Sequence, residues 1–421
     1  MTLGPAVVLI ILAFLLAMRF MPPPPPKVVS ITTGGQGGGY HTFGTRYAEV
    51  LARHGVKLNV LPSAGSAENL ERLKQPGSGI TVGLMQGGIG NSQNAPDLLS
   101  VGRVFYEPMW VFHRGPAIGM LHELQGKPVA IGAPGSGTRA LAEELLKSSG
   151  VTSANSTLLP LTGQQAVDAL KKGEVDAVFL TLAVQAPLIQ ELMRTPDIRL
   201  MSFAQADALT RHYPYLARLT LPQGVIDLRA NIPARDVTLV APKAALLVQN
   251  SLHPAIIALL AEAAQEVHGK ASLFGPAGEF PTQSDPEFEM DSDALRYYKT
   301  GPTFWKRVLP FGLANMVERA IVFLVPLLTI LIPLVKILPV VYRWRFRKRL
   351  LHWYTRLKDV EIRVAELPKG VAAGAAELHE ELDEIDDSVS RVPVPIQFAE
   401  QFYNMREHLD LVRQRLKSRA A

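Results

Sequence analysis

Four loops rich in glycine and hydroxyl residues carry the chemistry that this sequence offers. They are Gly34–Gly39, Ser63–Ser66, Pro134–Thr138 and Thr162–Gln165. Each follows a short apolar run and precedes a helical pattern, so each is expected to present the free backbone N–H groups and the positive dipole end of a helix N-terminus. Such a helix start suits a small anion, for example a carboxylate. One loop alone is better explained as a tight turn, whereas four loops at matching places favour a ligand cleft.

None of these loops fits a nucleotide-binding or nucleophile motif. Counting from Gly35 or from Gly37, the sixth position is not glycine, so G-x-G-x-x-G fails, and the chain contains no G-x-x-x-x-G-K-[ST]. Pro134 stands where the first glycine of a G-x-S-x-G elbow around Ser136 belongs. The loops therefore predict binding rather than catalysis.

Other reactive side chains are scarce. The absence of cysteine excludes disulfides, thiolate metal sites and cysteine nucleophiles. His41 and His113 have no carboxylate or serine partner at a suggestive spacing, and we expect them at the cleft edge or on the surface. No histidine and carboxylate cluster indicates a metal. We expect no cofactor and no enzymatic activity.

The loops alternate with strand and helix patterns in two similar units. Six apolar runs predict strands: Val28–Thr32, Lys57–Leu61, Ile80–Leu84, Val129–Gly132, Thr157–Leu161 and Asp176–Leu180. Gly39 and Gly137 are 98 residues apart, and so are Gly65 and Gly163. Strands alternating with helices imply a parallel sheet, so we predict an α/β fold with one topology used twice. Ligands of such sheets bind beyond the carboxyl ends of the strands, where the helices begin.

Several of these motifs together resemble a known family. Thr32–Tyr40, Ala64–Leu70 and Leu84–Gln86 are similar to the first lobe of the TAXI-type solute receptors of TRAP transporters, and Pro134–Thr138 with Asp176–Val178 is similar to the second. The resemblance covers about residues 27–300. It implies a two-lobed, type II-like periplasmic-binding-protein fold with a hinge. It also implies capture of a small organic acid or amino acid for a partner permease that an ion gradient drives.

The same resemblance implies a set of ligand-facing residues by motif position. They are Gly38, Gly39, Tyr40, Ser66, Asn69, Gln86, Ser136, Gly137 and Thr138. Thr181, which directly follows the strand Asp176–Leu180, is a further candidate. Arg139 is a rival anchor, because a guanidinium binds a carboxylate through two hydrogen bonds, although the sequence leaves its direction open.

Two apolar segments flank the binding domain. With 48% hydrophobic residues, 19% charged residues and a mean hydropathy of +0.13, the composition suits one globular body with one or two membrane segments. Leu3–Ala17, continuing to Met21, is an anchor or a cleaved signal peptide. Ala320–Val341 is expected to span the membrane, and five basic residues follow in Arg343–Arg349. The five positive charges of that run equal the net charge of the chain, +5. The basic composition therefore indicates membrane topology rather than nucleic-acid binding.

These features predict the following order along the chain. Residues 1–21 are the anchor or signal, 22–27 a proline-rich spacer, 28–305 the solute-binding domain, 306–342 the membrane-proximal and transmembrane segment, and 343–421 a tail with two amphipathic helices. Within the binding domain, lobe 1 covers about 28–112 and 237–300, and lobe 2 about 113–236. We expect a bacterial inner-membrane protein with a periplasmic binding domain and a cytoplasmic tail.

Two functions remain open from the sequence. The first is a membrane-tethered receptor that passes a small carboxylate or amino acid to a TRAP-type permease. The alternative is a ligand sensor that signals through the cytoplasmic tail, because typical receptors of the family lack a second span and a tail.

Overall fold

The computed structural model describes residues 23–368, 372–391 and 398–420, and within 323–349 only part of the side chains. The predicted N-terminal anchor or signal, residues 1–21, lies outside the described residues. The described chain forms two compact units, Pro23–Glu318 and the residues from Arg319 onward.

The first half of the sheet in Pro23–Glu318 is built on three parallel strands. Strands β1 (Val28–Thr32), β2 (Lys57–Leu61) and β3 (Val82–Gln86) are arranged in the order β2-β1-β3. Strand β11 (Val237–Gln249) pairs antiparallel with β3, and β4 (Leu98–Tyr106) pairs with the other edge of β11.

The second half repeats this arrangement. Strands β6 (Pro128–Ala130), β7 (Thr157–Leu159) and β8 (Ala177–Thr181) are parallel in the order β7-β6-β8. Strand β5 (Met109–Arg114) pairs antiparallel with β8, and β9 (Ile198–Leu200) pairs with the other edge of β5. The strand order confirms the predicted α/β topology used twice, and it adds to each half two antiparallel strands that the loop pattern did not predict.

Helices cover both faces of the two halves. In chain order they are α1 (Gly39–Arg53), α2 (Ser66–Lys74), α3 (Gly137–Ser148), α4 (Gly163–Lys172), α5 (Pro187–Arg194), α6 (Ala206–His212), α7 (Pro254–His268), α8 (Ser292–Thr300) and α9 (Phe304–Val308). One further strand, β10 (Leu216–Leu221), pairs with β11. Along β8, Phe179 packs on the face that α3 covers, whereas Val178 and Leu180 pack on the face that α4 covers. Burial on both faces explains why the strands are continuous apolar runs.

The chain passes between the halves of the sheet at two places. The first is Glu107–Pro108, between β4 and β5. The second lies within β11, whose beginning pairs with β10 and whose end, from Lys243, lies between β3 and β4. The backbone N–H of Glu107 donates to the carbonyl of Pro242 at 2.9 Å, so the two crossings are bonded to each other.

The described residues from Arg319 onward contain three helices rather than the two predicted for the tail. Helix α10 (Phe311–Glu366) enters this unit, and α11 (Ala372–Ser390) and α12 (Ala399–Ala420) follow. Leucine, isoleucine, valine and methionine side chains of all three helices form one buried cluster: Leu357, Val360, Val364, Leu378, Leu382, Ile385, Val389, Met405, Leu409, Val412 and Leu416. The prediction missed α11, although its apolar residues recur every three or four positions.

The predicted span Ala320–Val341 is not a separate element. It forms the middle of α10, which continues past Pro333 into the charged tail without a break in helical structure. Judged by length and hydropathy, none of the helices in the described part of the chain qualifies as a membrane span. The prediction of a C-terminal transmembrane helix is therefore not confirmed.

A buried ion cluster attaches the segment after α7 to the sheet. Arg103 on β4 is 2% exposed, and its Nη2 lies 2.5 Å from Asp285 Oδ1 and 2.6 Å from Glu287 Oε2. Its Nη1 donates to the carbonyl of Lys243 at 2.8 Å. A single guanidinium thus pairs with two carboxylates close to the β11 crossing.

We expect Arg103→Met to lower the free energy of unfolding by about 3–5 kcal/mol, because both carboxylates would be left buried without a cation. Urea denaturation of the full-length protein measures this. The matched control is Arg218→Met, since Arg218 and Asp207 form a pair whose side chains are 51% and 72% exposed, and exposed pairs contribute little. Equal midpoints for the two variants would contradict the prediction.

Candidate functional site

Four helices begin at the positions that the glycine-rich loops predicted. Helices α1, α2, α3 and α4 start at Gly39, Ser66, Gly137 and Gly163, each directly after a parallel strand and its loop. Strands β1, β2 and β3 are parallel to one another, and so are β6, β7 and β8, so these helix starts lie along the carboxyl edges of the two halves. The predicted positions of the helix starts are confirmed.

The loops before α2 and α3 contact each other across the two halves. A Cβ placed on Gly65 would lie 3.3 Å from the Cα of Ser136. The side-chain amide of Gln86, at the end of β3, donates from Nε2 to the carbonyl of Gly137 at 3.0 Å. A Cβ on Gly137 would lie only 2.5 Å from Gln86 Oε1. The halves are therefore in direct contact here.

A second contact between the halves follows β3. Gly88 has a φ of +90°, and a Cβ there would lie 2.6 Å from ring atoms of Tyr215. The Tyr215 hydroxyl donates to Glu144 Oε2 at 2.9 Å. Glycine is required at position 88 both by its left-handed backbone and by this close approach.

Three predicted site residues form one polar network on the first half. The Tyr40 hydroxyl lies 3.2 Å from Ser66 Oγ, and Ser66 Oγ accepts the backbone N–H of Gln86 at 3.0 Å. All three residues are buried. Tyr40 is on α1, Ser66 begins α2 and Gln86 ends β3, so the network joins three elements at the carboxyl edge of the first half.

Asn69 is placed differently from its prediction as a ligand contact. Its Oδ1 accepts from the hydroxyls of Thr32 at 2.6 Å and Ser63 at 2.7 Å, and its Nδ2 donates to the carbonyls of Thr33 and Leu84. Asn69 has no exposed surface. Its amide is fully bonded within the protein, and it braces the loop before α2 against β1 and β3.

The hydroxyl residues of the second half fall into two groups. Ser136 caps α3, since its Oγ accepts the N–H of Arg139 at 3.2 Å and donates to the carbonyl of Ala133 at 2.7 Å. Thr138 is half-buried, and its hydroxyl has no partner among the described residues. Thr181 Oγ1, at the end of β8, is buried without a partner in the same described part of the chain. The two threonine hydroxyls are thus free to bond a ligand.

The remaining predicted contacts involve backbone or a competing cation. Gly38 has an ordinary φ of −73° and precedes α1, while nothing lies within 4 Å of a Cβ placed on Gly39. Arg139, the rival anchor, pairs through Nε with Glu143 Oε1 at 2.8 Å along α3. Its guanidinium is therefore already engaged on its own helix.

The sequence analysis missed Glu107. Its Oε2 accepts the Tyr40 hydroxyl at 3.0 Å, so it extends the Tyr40–Ser66 network to the crossing between the halves. Burial raises the pKa of Glu107 to about 8, while the Tyr40 hydrogen bond and the Arg103 charge oppose this rise. Burial, followed by the charge of Glu107, also raises the pKa of Tyr40 well above its usual value. A single acidic residue in the otherwise apolar run Val104–Phe112 was the available signal.

The two histidines that the sequence singled out, His41 and His113, lie on different elements. His41 is half-buried near the start of α1. His113 is only 2% exposed on β5, which corrects the expectation of a cleft-edge or surface position. Burial lowers the pKa of His113, so it is neutral at pH 7. Among the described residues, no group of histidine, aspartate or glutamate side chains is arranged to hold a metal ion.

A half-open pocket of about 450 Å³ lies away from the helix starts. It is lined by residues after and within α7 and by later loops: Gln265, Glu266, Gly269, Lys270, Gly278, Phe280, Pro281, Gln283 and Tyr298. None of the predicted site residues lines it, and Glu266 is paired with Arg53 at 2.5 Å. We therefore place the candidate site at the helix starts rather than here.

The fold and the site define a class. The protein is a two-lobed α/β protein whose lobes meet at facing helix N-termini, with the chain crossing between the lobes at two places. A model of the NMT1-like family matches residues 31–270, which is more than half of the chain. The chain therefore belongs to the NMT1-like family.

Solved structures of binding proteins are similar in part. The periplasmic aliphatic sulphonate binding protein SsuA from Escherichia coli is 18% identical, with 57% of this chain and 73% of that chain covered and a TM-score of 0.36. The alkanesulfonate-binding protein SsuA from Xanthomonas axonopodis pv. citri, bound to MOPS, is 16% identical, with coverage of 58% and 74% and a TM-score of 0.37. An ancestral arginine-binding protein bound to arginine is 15% identical, with coverage of 57% and 92% and a TM-score of 0.37.

We expect Gly137→Val to prevent closure of the lobes, because the new side chain would displace the Gln86 amide and separate the two loops. Small-angle X-ray scattering of the full-length protein should then show a larger radius of gyration than the wild type. Gly39→Val is the matched control, since it also begins a helix but has open space around its Cβ. An unchanged radius in Gly137→Val would contradict the closed contact.

Proposed function

We propose that this protein is an extracytoplasmic receptor that binds a small organic anion or amino acid between its two lobes. One observation carries the proposal: the starts of α2 and α3, which belong to different lobes, face each other in direct contact. The first N–H groups of α3, on Gly137 and Thr138, have no partner among the described residues. Two positive helix ends meeting at one point favour an anion.

Side chains around this point supply the remaining polar contacts. The Tyr40 and Ser66 hydroxyls lie on the first lobe, and the unpartnered hydroxyls of Thr138 and Thr181 lie on the second. A ligand held by both lobes stabilises the closed arrangement, which a partner distinguishes from the open one. Membership of the NMT1-like family and the partial similarity to solute-binding proteins agree with this role.

We propose further that the receptor is tethered to the bacterial inner membrane. We also propose that it delivers its ligand to a TRAP-type permease, which is the partner that the TAXI-type sequence motifs imply. Support for the tether comes from the charge-free run Ile321–Val335 and from the basic run that follows it. Several large apolar side chains of this part of α10 are exposed, among them Val322, Val325 and Ile332.

A ligand sensor is the second candidate, and the tail favours it. The tail helices have a buried apolar core of their own and ion pairs between helices, such as Arg356 with Glu384 at 3.0 Å and Arg415 with Glu361 at 2.8 Å. A folded bundle, unlike a solvated charged tail, offers a defined surface to a cytoplasmic partner.

We expect a small carboxylate or amino acid to stabilise the full-length protein against thermal unfolding. At a ligand concentration one hundred times the dissociation constant, the gain is about 2.7 kcal/mol. A screen of organic acids and amino acids by differential scanning fluorimetry measures it, and sugars of similar size serve as controls. Well-folded protein that responds to none of the acids would contradict the proposal.

We expect the C-terminus to be cytoplasmic and the binding domain periplasmic. A fluorescent protein fused after Ala421 should fluoresce, and alkaline phosphatase fused there should be inactive, because the basic run Arg343–Arg349 stays on the cytoplasmic side. The same reporters fused after Gly301 should give the opposite result. Active phosphatase at Ala421 would overturn this topology.

A further inference from the structure

Glu107 lies at the point where the two lobes join. It follows β4 directly and precedes β5, and its backbone N–H is bonded to Pro242 at the other crossing. Its carboxyl group accepts a hydrogen bond from the Tyr40 hydroxyl on α1. Two consecutive hydrogen bonds, of 3.0 Å and 3.2 Å, connect Glu107 Oε2 through Tyr40 to Ser66 at the start of α2. The carboxyl group is therefore a near neighbour of the proposed anion site.

No cation in the described part of the chain forms an ion pair with this carboxyl group. Its Oε1 has no hydrogen-bond partner among the described residues. Arg103 on β4 is the positive charge that acts on it, but the Arg103 guanidinium is bonded to Asp285 and Glu287. Lys243 on β11 places its Nζ over the Tyr106 ring, 5.3 Å from the centroid. A carboxylate with a free oxygen beside an anion site is the partner that an ammonium group requires.

We infer that Glu107 binds the cationic amino group of a zwitterionic ligand whose carboxylate lies at the starts of α2 and α3. The inference rests on the proposed receptor function. It implies that the receptor binds amino acids in preference to simple organic acids. In an amino acid the ammonium and carboxylate groups are separated by one carbon, so Glu107 must lie close to the starts of α2 and α3. The chain of hydrogen bonds from Glu107 through Tyr40 to Ser66 places it there.

Proton exchange accompanies this binding. Without ligand, burial holds Glu107 mostly protonated at pH 7, because its pKa is raised to about 8. The neutral carboxylic acid loses its proton to the buffer, and the resulting carboxylate accepts an N–H of the ligand ammonium. The facing titratable groups, Tyr40 and Arg103, keep their protons in this range. Affinity for an amino acid should thus fall about tenfold for each pH unit below the raised pKa.

The test compares matched ligands on the full-length protein. The twenty L-amino acids are screened for binding, each beside the matched acid in which hydrogen replaces the amino group. Where either member of such a pair binds, calorimetry measures the affinity of both. The variant is Glu107→Gln, whose amide oxygen still accepts the Tyr40 hydroxyl. Glu174→Gln, an exposed carboxylate at the end of α4, is the control. Titrations at pH 7 in bis-Tris and in Tris, which are amine buffers that do not compete for an anion site, give the number of protons released.

We expect the wild type and Glu174→Gln to prefer an amino acid over its matched acid by at least tenfold and to release close to one proton. Glu107→Gln should bind the amino acid ten- to a hundredfold more weakly, bind the matched acid as before and release no proton. Acids that bind as well as their amino counterparts, or wild-type binding without proton release, would overturn the inference and leave the receptor function intact. Binding of neither class would overturn both.

Discussion

The relation between the two lobes depends on strand β11. Its first part pairs with β10 in the second lobe, and its last part lies between β3 and β4 in the first. Because β11 is continuous through both lobes, the lobes are joined at the crossings Glu107–Pro108 and Pro242–Lys243. The hydrogen bond between Glu107 and Pro242 holds these crossings side by side.

Glycine determines how closely the lobes approach at the cleft. Gly65 and Gly137 allow backbone to pack on backbone or on the Gln86 amide, where any Cβ would intrude. The starts of α2 and α3 therefore lie next to each other. Where water is excluded, the interaction of helix dipoles with an anion is stronger than at an open surface.

The polar side chains near the helix starts fall into two groups, those bonded within the protein and those with unpaired or perturbed groups. Asn69 and Ser136 use their hydrogen-bonding capacity within the protein, to brace one loop and to cap α3. Tyr40, Glu107 and Thr181 retain unpaired oxygen atoms or strongly perturbed ionisation. Unsatisfied buried polar groups are costly, and a ligand that bonds them recovers that cost. Under the proposed function, the first group shapes the site and the second contacts the ligand.

The sequence by itself determined the elements that depend on local pattern. Apolar runs and glycine loops located the strands and the starts of α1 to α4, because strand alternation and helix capping involve residues close together in the chain. Tertiary structure alone decided the contacts between distant segments. Motif position marked Asn69 and Tyr40 alike as ligand contacts, yet only packing showed that the Asn69 amide is fully bonded and that Tyr40 meets Glu107, 67 residues away. Burial also sets the ionisation of Glu107, and burial is a property of the folded chain, since no neighbour in sequence removes that carboxyl group from water.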